Sequence, residues 1–135
     1  MSLQFKKFEI PSVTLSNKYV MSPLELKDYI PFVVKRVYFI SEITGNTGAH
    51  CHFKEEEFFV LQKGTATAVI DRGKGLEEIF MQGPWSAVYV GNYVWHQFKD
   101  FSRDAILLAL SSTNYQADRS DYCEDYKKYL KIREK

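Results

Sequence analysis

The sequence lacks a long apolar run, and it lacks a segment in which positive charges precede an apolar stretch. The first absence argues against a membrane span, and the second argues against a secretory signal peptide. Net charge is small, because 18 Lys and Arg oppose 17 Asp and Glu, which argues against nucleic-acid binding through a broad basic surface. Two cysteines occur without framework spacing, so we expect free thiols and a reducing, cytoplasmic environment.

Histidine is scarce, and the three histidines lie in two short strand-like segments. His50 and His52 are two residues apart, and His96 follows about forty residues later. Side chains alternate faces along a β-strand, so His50 and His52 point to one side and Cys51 points to the other. Two imidazoles on one face of a sheet interior cost free energy unless they are used. This pair is therefore the first candidate for a functional site.

Short runs rich in β-branched and aromatic residues recur along the chain, and aromatic residues make up 16% of it. After Ser111 the pattern changes to helical spacing, which predicts a helix from about 121 to 133 with Asp118 or Ser120 as its N-cap. The strands are predicted at 3–10, 32–40, 50–53, 57–61, 65–70, 77–80, 86–90, 94–98 and 105–110.

This pattern predicts an all-β protein, an antiparallel jelly-roll β-sandwich with a C-terminal α-helix. A chain of 135 residues is long enough to bury one proper core, so we expect a single domain over 1–135. Within it, 1–31 form an N-terminal strand or arm, 32–112 form the jelly-roll core, and 118–133 contain the C-terminal helix.

The histidines belong to a longer pattern. His50, His52, Glu57 and Gly64 have the spacing of the first cupin motif, and His96 stands at the end of a segment that matches the second. The sequence therefore resembles the cupin family, and the resemblance implies the cupin jelly roll.

Four segments narrow the resemblance. In order along the chain they read KRVYFI, GAHCHFKEEEFFVLQKG, AVYVGNYVWHQFKDFSRDAILLALSS and NYQADRSDYCEDYKKYL. Together they resemble the WxcM-like cupins, the dTDP-4-keto-6-deoxyhexose 3,4-ketoisomerases. The resemblance implies an isomerase that moves a ketone from C4 to C3 of a nucleotide sugar through an enediol. It also implies a homodimer and a place in making a deoxyamino sugar for surface polysaccharide such as O-antigen, without membrane or nucleic-acid partners.

The resemblance implies that His52 is the catalytic base, with His50 beside it, since imidazole titrates near neutrality. Tyr38 is the third candidate catalytic residue, because its hydroxyl can donate to the enolate oxygen or carry the second proton. Arg36, on the same strand face as Tyr38, suits the diphosphate. The remaining predicted substrate-binding residues are His96, Glu57 and Trp95, with Tyr93 and Tyr89 as further candidates for the thymine slot.

Departures from the family pattern leave two alternatives open. Thr47 stands where the family has an arginine, which favours a non-catalytic sugar-nucleotide-binding cupin. Glu57 stands where such ketoisomerases commonly carry Gln and need no metal. With it, His50, His52, Glu57 and His96 form a three-His, one-carboxylate set suited to Fe, Mn, Ni or Zn. The second alternative is a metal-dependent cupin enzyme, or a 3,5-epimerase-like relative, on another small molecule. Our first expectation is that no cofactor is needed.

Overall fold

The computed structural model describes residues 3–134, which form twelve strands and two short helices. In chain order these are β1 (Phe5–Glu9), β2 (Val13–Leu15), β3 (Tyr19–Met21), α1 (Leu26–Tyr29), β4 (Arg36–Ile40), β5 (Cys51–His52), β6 (Glu57–Lys63), β7 (Thr65–Asp71), β8 (Leu76–Gln82), β9 (Ser86–Val90), β10 (Trp95–Lys99), β11 (Ile106–Ser111), β12 (Tyr122–Cys123) and α2 (Tyr126–Arg133).

The strands form two antiparallel layers. The first is a five-stranded sheet in the order β1-β9-β6-β11-β4. The second contains β10-β7-β8 and the pair β12-β5. Reciprocal backbone hydrogen bonds between His50 and His96, of 3.1 and 2.9 Å, join β5 to β10. The second layer therefore runs on as β12-β5-β10-β7-β8, and the predicted antiparallel jelly roll is confirmed.

The space between the layers is filled by apolar side chains from both. Phe59 and Leu61 of β6 meet Ile70 of β7 and Phe98 of β10, and all four are buried. Burial of such a side chain contributes about 1.5–3 kcal/mol. This packing fixes the distance between the layers, and with it the position of every polar group that faces inward.

The chain from β6 to β7 depends on one glycine. Gly64 has φ +84°, and a Cβ there would lie 2.8 Å from the Cα of Ala105. Another residue would therefore be both strained and obstructed, so this position holds the β6–β7 turn that the sequence predicts at Lys63 and Gly64.

The N-terminal segment packs on the outer face of the five-stranded sheet. The rings of Phe8 and Tyr29 meet edge to face at 5.3 Å, and Phe8 also contacts Phe58 at 5.9 Å. β2 and β3 form a hairpin that the sequence did not predict, since its strands are short and largely exposed. Val37 and Phe39, on the outward face of β4, stay 51% and 65% exposed.

The C-terminal helix is shorter than predicted, and this corrects the interval 118–133. It begins at Tyr126, because Tyr122 and Cys123 pair instead with His52 and Cys51 as β12. The N-cap is therefore neither Asp118 nor Ser120.

The observed N-cap is Asp125, whose carboxylate accepts from the backbone N–H groups of Lys127 at 2.9 Å and Lys128 at 3.2 Å. The Tyr129 hydroxyl anchors the helix by donating to the Tyr93 carbonyl at 2.7 Å. Among the described residues, neither helix has the length and apolar character needed to cross a bilayer.

Candidate active site

Five of the predicted site residues meet between the two layers. His50 and His96 face each other across the β5–β10 bridge, and His52 lies two residues along β5 on the same face. From the opposite layer, β4 contributes Tyr38 and β6 contributes Glu57. The strand alternation that predicts His50, His52 and Tyr38 on inward faces is thus realised, and the site spans the sandwich.

Glu57 joins the two halves of this cluster. Its Oε1 lies 3.0 Å from Nε2 of His52 and 3.5 Å from Nε2 of His96. Its Oε2 accepts from the Tyr38 hydroxyl at 2.5 Å. The residue is 2% exposed, so it is not the solvated member of the Glu55–Glu57 run that its sequence neighbours would suggest. A continuous chain of polar atoms therefore leads from Tyr38 to His52.

The histidines are oriented by what their outer nitrogens contact. Nδ1 of His50 lies 3.1 Å from the Gly48 carbonyl, and Nδ1 of His96 lies 3.0 Å from the Val94 carbonyl. A carbonyl only accepts, so each Nδ1 carries the proton and each Nε2 faces the cluster as a lone pair when the ring is neutral. His50 and His52 meet Nε2 to Nε2 at 3.1 Å.

The environment gives these groups different acidities. Burial and the positive charge of the neighbouring imidazoles lower the pKa of His50 to about 3, so its ring is neutral at neutral pH. Burial alone would lower the pKa of His52 too, but the hydrogen bond and charge of Glu57 raise it above its ordinary value. Burial alone would raise the pKa of Glu57, yet the neighbouring imidazoles of His52 and His96 hold it well below the ordinary range. Burial and then the charge of Glu57 raise the pKa of Tyr38, which keeps its proton.

Two carboxylates that the sequence did not reveal lie behind His52. Asp121 Oδ2 is 3.6 Å and Glu55 Oε1 is 3.8 Å from Nδ1 of His52. The available signal for Asp121 was its place in the C-terminal segment that matches the ketoisomerases. It was missed because that segment was interpreted as helix, whereas β12 carries it to β5.

Arg36 does not lie free beside the cluster. Its guanidinium donates to Glu55 Oε2 at 3.0 Å and lies 5.3 Å from the Tyr38 ring and 5.6 Å from the Tyr115 ring. Tyr115 belongs to a cleft of about 220 Å³ that also includes Glu55, Asp121 and Tyr122. Since Tyr122 packs on His52 with ring centroids 4.4 Å apart, this cleft adjoins the histidines.

The structure does not support the prediction that Trp95 binds the substrate. It is 5% exposed and its indole packs on Tyr126 and Tyr129 of α2, at 5.2 and 5.3 Å. Alternation along β10 turns it away from the side that holds His96, so the structure does not bring it to the site. Tyr89 also lies elsewhere, where its hydroxyl donates to Glu56.

Four of the clustered side chains have the composition and spacing of a metal site. One donor atom from each of His50, His52, Glu57 and His96 lies within 4.8 Å of the others. A metal–nitrogen bond of about 2.1 Å places neighbouring ligands of a tetrahedral ion about 3.4 Å apart, and the contacts here are 3.0 to 3.5 Å. Nε2 of His96 is buried and has no hydrogen-bond partner within residues 3–134. These residues fit a divalent transition metal.

Comparison with known proteins agrees with this architecture. The family model described as FdtA, WxcM-like, C-terminal, matches residues 3–134. The chain belongs to the FdtA family. This FdtA-family protein is 38% identical over 112 residues to the TDP-4-oxo-6-deoxy-alpha-D-glucose-3,4-oxoisomerase of Aneurinibacillus thermoaerophilus, and the match covers 79% of each chain.

Solved structures of similar proteins extend the comparison. The WlaRB TDP-quinovose 3,4-ketoisomerase of Campylobacter jejuni superposes on this FdtA-family protein with a TM-score of 0.83 and 29% identity, covering 94% of this chain and 97% of that one. A histidine-to-asparagine mutant of the 3,4-ketoisomerase QdtA from Thermoanaerobacterium thermosaccharolyticum, in complex with TDP-4-keto-6-deoxyglucose, gives a TM-score of 0.82 and 25% identity over 95% and 92% of the two chains.

Proposed function

We propose that this protein is a nucleotide-sugar 3,4-ketoisomerase that acts on TDP-4-keto-6-deoxyglucose. Membership of the FdtA family and the names of its relatives support the reaction. The observation that supports the proposal most is the chain of contacts from Tyr38 through Glu57 to His52, which joins a hydroxyl and an imidazole from opposite layers of one buried site. The product is a 3-keto sugar, which serves as a precursor of a deoxyamino sugar for a surface polysaccharide.

The first half of the reaction breaks the C3–H bond. His52 accepts that proton at Nε2, the electron pair of the C3–H bond forms the C3=C4 double bond, and O4 takes a proton from the Tyr38 hydroxyl. The new Nε2–H of His52 lies between two acceptors, the lone pair of His50 at 3.1 Å and Glu57 Oε1 at 3.0 Å. His50 and Glu57 thereby stabilise the imidazolium that forms.

The second half reverses these transfers at the neighbouring carbon. O3 returns a proton to Tyr38 as the C3=O bond forms, and C4 takes the proton from His52. The oxidation of C3 balances the reduction of C4, so no external oxidant or reductant enters. The raised pKa of Tyr38 ensures that its phenolate recovers the proton, which restores the enzyme for the next turnover.

The cleft beside His52 accounts for substrate binding. None of the five clustered side chains lines it, and its volume of about 220 Å³ is below the roughly 300–1,000 Å³ of typical ligand pockets, so it holds only part of the substrate. Arg36 contacts Glu55 and Tyr115, which line one wall of the cleft. It binds the diphosphate of the substrate only if it gives up its contact with Glu55. His96 completes the floor of the site beside Glu57.

Proton NMR in D₂O tests this function. Incubation with TDP-4-keto-6-deoxyglucose should remove the C3 proton signal and produce a 3-keto sugar. His52→Ala should lower the rate at least about a thousandfold, because the base is lost, while thermal shift with TDP still reports binding. Exchange at C5 as well would support the epimerase alternative. TDP binding without any exchange in the wild type would overturn the proposal in favour of a non-catalytic sugar-nucleotide-binding protein.

We also propose that isomerisation needs no metal, although the site fits one. His50, His52, Glu57 and His96 would hold a divalent ion, which would supply Lewis acidity toward the substrate ketone. The proposed base uses the same Nε2 of His52 that such an ion would occupy. His52 can therefore act as the base only while no metal ion is bound to its Nε2.

Finally, we propose that the protein is a cytoplasmic homodimer. Support for the dimer comes from an apolar groove of about 610 Å³ beside β4, where Val37 and Phe39 lie next to Val20 of the β2–β3 hairpin. All three side chains are more than half exposed in the single chain, at 51%, 65% and 56%. A second copy of the chain would cover this surface. The cytoplasmic assignment is supported by the free cysteines and by a nucleotide-linked substrate.

A further inference from the structure

Arg119 lies over the ring of Tyr122, beside the candidate active site. The central carbon of its guanidinium group is 3.9 Å from the centre of that ring. The same ring packs on His50 and His52, with centroids 4.8 and 4.4 Å apart. One tyrosine therefore contacts both a permanent cation and two imidazoles of the site. The side chain of Arg119 is 47% exposed, so a ligand that enters the site can reach it.

A turn of the chain fixes this placement. The Tyr122 N–H donates to the Arg119 carbonyl at 3.1 Å, and the Asp118 carboxylate accepts from the Ser120 N–H at 3.0 Å. Arg119 itself has φ +56°, a left-handed conformation that is uncommon for a residue with a Cβ. The backbone of the turn therefore brings the guanidinium back over the residue three positions later.

The ion pair of Arg119 is one that a ligand can replace. Nε donates to Oε1 of Glu124 at 2.8 Å, and Nη2 contacts the same oxygen, which leaves Nη1 outside the pair. Glu124 is 54% exposed, and exposed ion pairs contribute little to stability because water screens them. Phosphate oxygens accept the same charge-assisted, two-pronged hydrogen bonds from a guanidinium as a carboxylate does. A phosphate can therefore take the place of Glu124.

Arg36, the arginine that the sequence favours for the diphosphate, is held more firmly. It donates to Glu55 at 3.0 Å, and Glu55 is 5% exposed. Separation of this pair would leave a buried carboxylate without its cation, which costs far more than separation of an exposed pair. Arg36 is therefore the less suitable of the two arginines for binding an anion that must come and go.

The cleft beside His52 lies between the two arginines. Its lining includes Tyr115 and Tyr122, with Arg36 5.6 Å from the first ring and Arg119 3.9 Å from the second. In a nucleoside-diphosphate sugar the diphosphate is attached to C1, two carbons from C3. A cation that binds it must therefore lie about the width of a sugar ring from the base. Arg119 and His52 contact one and the same ring, which meets this condition.

Two carboxylates also line the cleft, and both already have partners. Glu55 accepts from Arg36, and Asp121 accepts from the backbone N–H groups of Lys54 at 2.8 Å and Glu55 at 3.0 Å. Arg119 takes no part in these contacts, since its carboxylate partner is Glu124. Its charge is therefore available to an anionic ligand once that exposed pair opens.

We propose that Arg119 binds the diphosphate of the nucleotide-sugar substrate by exchanging Glu124 for phosphate oxygens, while Arg36 keeps its buried partner. The inference rests on the proposed function for the identity of the ligand. The planar guanidinium donates two N–H groups to the diphosphate and stays stacked on Tyr122. Arg119 thus holds the sugar in place and carries no proton in the reaction.

Parallel binding of TDP and thymidine isolates the diphosphate, because the two ligands differ in that group alone. Arg119→Gln should weaken TDP binding at least about tenfold, since a charge-assisted contact is lost, and should change thymidine binding less than about twofold. Titration calorimetry measures the first affinity, and ligand-observed NMR up to millimolar concentration measures the second. Unchanged TDP affinity, or equal weakening of both ligands, would overturn the inference.

Arg103→Gln is the matched control, because it makes the same change at an exposed arginine between β10 and β11. Its TDP affinity should equal that of the wild type, and equal weakening in both variants would mean that only net charge matters. Glu124→Gln should act in the opposite direction and tighten TDP binding about twofold or more, because Arg119 no longer leaves a partner. Weaker binding in Glu124→Gln would contradict the exchange.

Turnover gives a separate readout. Arg119→Gln should raise KM for TDP-4-keto-6-deoxyglucose about as much as it weakens TDP binding, with kcat changed less than about threefold. TDP binding that depends on Arg119 in a protein that does not isomerise the sugar would support this inference and overturn the proposed function. Isomerisation with TDP binding that is independent of Arg119 would do the reverse.

Discussion

Glu57 occupies the position where the chemistry of both layers meets. It accepts from Tyr38 on one side and contacts His52 and His96 on the other, in a site from which water is largely excluded. A carboxylate in that position stabilises either a proton on His52 or a metal ion among the three imidazoles. Replacement of Glu57 by its amide isostere removes the charge without opening a cavity, so it separates these two uses.

Metal binding is the first prediction at this scale. Zn²⁺ or Ni²⁺ added to chelator-treated protein should bind with one ion per chain and inhibit isomerisation, because it occupies Nε2 of His52. Glu57→Gln should weaken that binding at least about tenfold, since a neutral amide replaces an anionic ligand. Metal content after gel filtration and titration calorimetry measure both effects. Chelation itself should leave isomerase activity intact, and loss of activity on chelation would instead favour the metal-dependent alternative.

Glu56→Gln is the matched control. It makes the same chemical change one residue away, where the carboxylate accepts from Tyr89 outside the histidine cluster. Its metal affinity should equal that of the wild type. Equal weakening in both variants would mean that the metal binds somewhere other than the four clustered residues.

The run Glu55–Glu57 illustrates which site residues the sequence predicts and which it does not. Spacing predicted that Glu57 belongs with His50, His52 and His96, and the structure brings these four together. It did not predict that Glu55 is also buried, because strand alternation alone does not reveal that Arg36, Ser111 and Thr113 converge on it. Trp95 was misassigned for a related reason, since adjacency to His96 in sequence places the two on opposite faces of β10.

At the scale of elements, the helix α2 holds Trp95 and the β5–β12 pair against the rest of the fold. Its N-terminus is closed by Asp125, which accepts from two backbone N–H groups. Asp125→Ala should lower the free energy of unfolding by about 1 kcal/mol. Thermal denaturation should show a melting temperature lower by roughly 3–5 °C. Asp125→Asn, which keeps the acceptor oxygen, should lose only a fraction of this, and an equal loss in both variants would contradict the cap.

The elements themselves were largely predictable. Runs of β-branched and aromatic residues located β4, β6, β7, β9 and β11, because each packs at least one face against the core and has a clear pattern. β12 was not predictable, since two residues carry no period and their partner on β5 lies about seventy positions earlier. Helical spacing of tyrosines therefore extended α2 too far toward the N-terminus. The helix begins only at Tyr126, because Tyr122 and Cys123 pair with His52 and Cys51 as a strand.

At the scale of the whole molecule, the exposed apolar face beside β4 should control association. Phe39→Glu places a charge where a second copy would bury it, so the variant should elute as a monomer where the wild type is a dimer. Sedimentation or light scattering at micromolar concentration measures this. Phe80→Glu is the control, because Phe80 is similarly exposed at 59% but lies on β8 in the other layer. A monomeric wild type, or dissociation by both variants, would contradict the assignment of this face.

The division of the active site between two layers has a mechanical consequence. The histidines are attached to one sheet and the Tyr38–Glu57 pair to the other, so the distances across the candidate site are set by how far apart the sheets stand. Buried side chains such as Ile70 and Leu61, which lie outside the cluster of polar side chains, act as spacers between the two sheets. A substitution that removes one methylene from the core would let the sheets approach or slide. Proton transfer would then slow before the fold is lost. In this protein, the tolerance of the core to substitution is therefore limited by catalysis as well as by stability.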